Sequence, residues 1–200
     1  MKHYGIIFIL FFIFFSNKTF GATPDTLKIF NAAEEELGIP PEEWKNTLPQ
    51  NQLVYTNYSI ERSIDGQYLR TISNSSASWL ELNMEENDVS NYKIMAWEWK
   101  VDRFPEVGFE KNEEYDDFGL RIELVYDFKG SSKNVLNIIR KGLIRTIFKR
   151  YPPELIVSYV WSINVPSNIP YVSPSSNRTM ILPIESNDII KSRWMKERRN

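Results

Sequence analysis

The sequence predicts a mainly β fold, an antiparallel β-sandwich carrying an N-terminal helix and one inserted basic amphipathic helix. Three observations lead there. Residues 92–101 and 118–128 alternate large apolar side chains with charged ones, the period of strands with one buried face. Asp65-Gly66 separates two further alternating runs, a strong hairpin signal. Residues 131–150 change to helical spacing, with Val135, Ile138, Ile139, Leu143 and Ile147 on one face and Lys133, Arg140, Lys141, Arg145, Lys149 and Arg150 on the other.

In chain order, a basic start at Lys2 and His3, an apolar run over residues 6–15 and a polar stretch closing on Thr19-Phe20-Gly21 predict a secretory signal peptide, residues 1–21. A retained anchor is the rival reading, but a bilayer span needs roughly twenty apolar residues and this run is half that. The expected location is therefore outside the cytoplasm, periplasmic or secreted, with residues 22–200 forming a single domain. Leu27, Phe30, Ala33 and Leu37 have helical spacing, with Asp25 to cap the start and Gly38-Ile39-Pro40-Pro41 to end it, which predicts a helix within residues 23–38. Strands are expected at residues 53–60, 68–73 and 78–84, then at 92–101, 118–128, 155–163 and 180–184, with Pro183 favouring a sheet edge. The tail from Ile189 to Asn200 is charged and has no closing strand after it, where an all-β fold with long central strands wants another strand.

Composition excludes more than it selects. Residues 1–21 hold two of the 24 basic residues, none of the 26 acidic ones, and the only histidine, and the chain has no cysteine. What remains is mildly acidic and lacks both side chains needed for Ser-His-Asp or Cys-His catalysis, disulfides, and the usual zinc or copper sites. Carboxylate chemistry, lysine chemistry, oxygen-ligated calcium, or binding without chemistry survive. The negative charge gives no reason to expect nucleic acid as a partner.

A site is expected around Asp116 and Asp117 at the entrance to one strand, with Arg121 beyond them and Glu98 and Lys100 on the strand over 92–101. Adjacent aspartates offer oxygen ligands to calcium, the one cofactor this chain could hold, and they hydrogen-bond sugar hydroxyls. By strand parity Asp117 shares a face with Arg121, and an ion pair fixing register explains that pairing equally well. Trp79, Trp97, Trp99 and Trp161 alternate with aliphatics and read as core. Trp194, between Arg193 and Lys196, is the candidate exposed aromatic. Glu98 with Asp117 is a carboxylate pair a glycoside hydrolase could use, but with 26 acidic residues in the chain such a pair carries little weight.

Several segments in order resemble an exported bacterial family, domain-of-unknown-function family 3047: Ser73-Asn74-Ser75-Ser76-Ala77-Ser78, Trp97-Glu98-Trp99-Lys100-Val101, Asp116-Asp117-Phe118-Gly119-Leu120-Arg121-Ile122, Tyr159-Val160-Trp161, and Trp194 through Asn200. The resemblance implies a signal-bearing β-sandwich akin to carbohydrate-binding jelly rolls, and members of that family continue past the Arg-Arg motif where this chain stops. The expectation is a non-catalytic module binding a glycan or cell-envelope component. The alternative is peripheral membrane or protein-partner binding through the basic helix over 131–150. No oligomeric state follows from the sequence.

Overall fold

The structure is a computed structural model, and it describes residues 26–48, 53–84, 89, 92–105, 118–127, 154–186 and 191–200, together with the backbone of 6–10. These fall into two compact units, Met1–Phe104 with Lys191–Asn200, and Pro105–Ile190. Both are built of strands.

In the first unit, five strands form a sheet in which every neighbouring pair is antiparallel: β1 (Ile6–Leu10), β3 (Asn57–Ser63), β4 (Gly66–Ile72), β6 (Met95–Val101) and β11 (Met195–Arg199), in the order β11-β6-β1-β4-β3. A second, two-stranded sheet pairs β2 (Lys45–Thr47) with β5 (Trp79–Glu81). The expected hairpin is present: Ser63 pairs with Gly66 across Ile64-Asp65, and Gly66 takes φ +127°, a conformation that only glycine adopts without strain. Its first strand begins at Asn57 rather than at residue 53, and Leu53, Val54 and Tyr55 lie exposed before it. Alternation along β6 is complete, with Met95, Trp97, Trp99 and Val101 buried and Ala96, Glu98 and Lys100 half-buried on the opposite face. The rings of Trp97 and Trp99 meet edge to face at 5.4 Å.

The helix expected within residues 23–38 is overturned. Its place holds a single 3-10 turn, Ala32–Glu34, and no helix of seven or more residues occurs among the described residues. The cause is competition for backbone groups. Asn31 sits in extended conformation and its Oδ1 accepts from the Ala33 amide, which caps a turn where a helix would have continued. Gln67 then donates its side-chain amide to the carbonyls of Ala32 and Glu35, at 2.8 and 3.1 Å. A second turn follows at Leu37-Gly38, where Gly38 takes a positive φ and the chain ties to β3: the Gly38 amide donates to the Ile60 carbonyl and the Ile60 amide to the Ile39 carbonyl. Phe30 and Ala32 are buried while Leu37 is 44% exposed, so the apolar spacing marked no helical face. The basic helix expected over 131–150 lies outside the described residues.

The second unit contains β7 (Leu120–Asp127), β8 (Glu154–Ser162), β9 (Tyr171–Val172) and β10 (Thr179–Ser186) in the order β7-β8-β10-β9. Here the antiparallel expectation fails too, because β8 and β10 run parallel. Register places Leu120, Ile122, Leu124 and Tyr126 opposite Trp161, Tyr159, Val157 and Leu155, the apolar face that alternation predicts. The other face is also apolar at its centre, where Phe118, Val160 and Ile181 pack with Tyr171. A sheet with parallel central strands buried on both faces does not show simple alternation. Pro183 lies on β10, between β8 and β9, rather than on an edge strand. It is tolerated because the β8–β10 register shifts between Pro183 and Glu185 and the β9 ladder ends at Ile181.

Candidate functional site

The face of the five-stranded sheet opposite the buried tryptophans carries a cluster of charged side chains. Arg70 on β4 and Lys100 on β6 oppose the same backbone position of β1 from its two sides, so both project from one face. Residues two positions away share that face: Tyr68 on β4, Glu98 on β6 and, by register, Glu61 on β3 and Lys196 on β11.

Each carboxylate on this face has a cation. Glu61 Oε1 lies 2.8 Å from Arg70 Nη1, and its other oxygen accepts the Tyr68 hydroxyl at 3.3 Å. Glu98 pairs with Lys196 at 3.0 Å, and Asp102 with Lys100 at 3.6 Å. Burial, and after it the Glu61 carboxylate, raise the Tyr68 phenol above its ordinary value, so it remains a neutral donor. Exposed pairs of this kind stabilise by about 1 kcal/mol or less and leave their groups free to exchange partners with a ligand.

Trp194 completes the arrangement. Its ring meets Tyr68 edge to face at 5.8 Å, and Lys100 Nζ stands 5.5 Å from its centroid. The approach is set by Ser192, whose positive φ turns the chain and whose amide donates to the Val101 carbonyl at 2.7 Å. Trp194 thus reaches residues on both sides of β1. Two half-buried aromatic rings among three carboxylates and three cations form a surface that can stack a sugar ring and hydrogen-bond its hydroxyls.

Of the residues proposed from sequence, Glu98, Lys100 and Trp194 come together here. Asp116 and Asp117 lie outside the described residues. Arg121 belongs to the second unit, where its guanidinium stands 4.8 Å from the Phe118 ring centroid and 3.4 Å from Glu123. β6 pairs with β1 and β11, and β7 pairs with β8, so Glu98 and Lys100 are not on a strand adjoining Arg121. Among the described residues no group of three or more acidic, histidine or cysteine side chains could hold a metal ion. Nor is any described helix long and apolar enough to cross a membrane.

Sequence reasoning missed Glu61, Tyr68 and Arg70. Counting outward from the hairpin turn would have found them, since a two-residue loop after Ser63 sets Glu61 opposite Tyr68, diagonal to Arg70. Trp79, read as core, is 45% exposed on a three-residue strand, whereas Trp97, Trp99 and Trp161 are fully buried.

No curated protein and no solved structure matches the chain. A family model described as a protein of unknown function, DUF3047, matches residues 42–200, a span that includes every strand of both units except β1, and the chain belongs to that family.

Proposed function

We propose that this chain is an exported, non-catalytic module that binds a glycan of the cell envelope on the charged face of its five-stranded sheet. The reading rests on one observation, the convergence of Trp194, Tyr68 and Lys100 on a face that also carries Glu61, Arg70 and Glu98. Aromatic rings stack on the apolar face of a pyranose, and ionic side chains around them satisfy its hydroxyls. Glu61 and Glu98 are each engaged by a cation, Arg70 and Lys196, which places donors and acceptors side by side around the rings. The apolar run after a basic start supports export.

The test is thermal unfolding of the full chain with a panel of bacterial and plant glycans. A ligand at a hundred times its Kd stabilises the folded state by about 2.7 kcal/mol, which raises the midpoint by several degrees. Trp194→Ala is expected to weaken the same glycan at least tenfold, about 1.4 kcal/mol. If no glycan moves the midpoint of the unmodified chain, the reading fails.

A further inference from the structure

The strand at the centre of the five-stranded sheet comes from the most unexpected part of the sequence. β1 is Ile6-Ile7-Phe8-Ile9-Leu10, drawn from the apolar run that the sequence marks as a removable leader. Its backbone pairs Ile6 through Ile9 with β4 and Ile7 through Leu10 with β6, antiparallel on both sides. It is also the one strand outside the family match, which begins at residue 42.

Without β1 the sheet becomes two separate pairs, β3–β4 and β6–β11. Two-stranded pieces are marginal in water, and each would present a row of unpaired amides and carbonyls to the gap. The gap has the width of one strand, since two strand spacings amount to about 9–10 Å. A slot of that width, lined on both sides by backbone edges running in the same direction, fits one kind of occupant: a single extended strand, antiparallel to both.

From this arrangement we infer that the gap between β4 and β6 is a strand-acceptor site, which takes an extended, proline-free apolar segment of about five residues from a second polypeptide once the leader is removed. The seated segment states the chemistry. Every one of its residues is apolar and three are isoleucine, a strong strand former. Main-chain bonds to two edges supply affinity, and the absence of polar side chains from the seated strand sets its selectivity. The glycan reading needs the same slot to be filled, since Tyr68 and Arg70 on β4 meet Glu98 and Lys100 on β6 only across β1; loss of peptide uptake therefore tests the slot, and loss of glycan binding with the slot filled tests the face.

The test uses the full chain with a sequence-specific protease site introduced at residues 22–25. After cutting, a synthetic peptide of sequence Ile-Ile-Phe-Ile-Leu, flanked by lysines for solubility and carrying a fluorophore, is added in excess. A second peptide has proline at its second and fourth apolar positions. The expected results are three. The cut chain retains its N-terminal fragment on gel filtration, the labelled apolar peptide displaces that fragment one for one, and the proline peptide does not enter. A washed, fragment-free chain is expected to melt several degrees lower and to recover its midpoint with the apolar peptide alone. A cut chain that sheds the fragment, keeps its midpoint and takes up no peptide would overturn the inference, because β4 and β6 would then close on each other. So would a cut chain that neither peptide restores.

Discussion

Glu197 has the environment a carboxylate tolerates least. Register sets it opposite Trp97, on the buried face of the sheet, and only 7% of it is exposed. Arg199, two residues on, holds it at 2.9 Å. Breaking a buried pair leaves an uncompensated charge, so Glu197→Ala is expected to cost about 2–4 kcal/mol, read as a lower urea midpoint. Glu61→Ala on the solvated face should cost about 1 kcal/mol or less. Equal losses would show that Glu197 is as well solvated as Glu61. A second residue-scale prediction concerns alkali. Burial raises both Tyr58 and Tyr126 from 10.0 to about 12, opposed at Tyr58 by hydrogen bonds and reinforced at Tyr126 by Tyr159. Both phenols ionise more readily in the unfolded chain. Their contribution to stability is therefore complete below pH 10 and is lost as pH climbs from 10 through 12, by about 2–3 kcal/mol each. Tyr126→Phe should flatten the fall of stability across that window by one proton; an unchanged slope would mean that Tyr126 titrates normally in the fold.

At the scale of elements, legibility followed how far each element's cause was local. The hairpin at Asp65-Gly66 was legible because its turn chemistry lies in adjacent residues. An ideal Cβ built on Gly66 meets nothing within 4 Å, so any penalty for Gly66→Ala comes from its positive φ alone. That substitution should destabilise by about 1–2 kcal/mol in denaturant unfolding. No loss at all would mean that the turn relaxes to another type. β6 was legible for a similar reason, since Trp97 and Trp99 alternate with Glu98 and Lys100 and need no distant information to assign their faces. β11 was not. Met195-Lys196-Glu197-Arg198-Arg199 carries four charges in five residues, and it is a strand only because β6 offers an edge and Arg199 neutralises Glu197. The turn at Ala32–Glu34 was misread because its decisive partner, Gln67, is far away in sequence.

The whole molecule explains why half of the candidate site was legible and half was not. Alternation and composition pointed to Glu98, Lys100 and Trp194, each notable within its own segment. Their association with Tyr68, Glu61 and Arg70 depends on strand order, β11-β6-β1-β4-β3, which no local pattern records. Asp117 attracted attention through its neighbour Asp116, a local pattern again. The second unit interrupts the first along the chain, occupying Pro105–Ile190 between the last two described strands of the first.

That order of strands has a consequence for how the chain is made. β6 is flanked by the first and the last of the described strands in chain order, and Met195 must find Trp99 across the whole of the second unit's sequence. Contacts of such long range form late, after their loop entropy has been met. Nascent chains stalled before residue 195 has emerged should stay open to protease at β6, and those in which residues 195–199 have emerged should resist. A first unit that cannot close until residues 195–199 have been made remains threadable while the whole of residues 105–190 is translated, the condition a polypeptide must keep to pass through a narrow translocation channel.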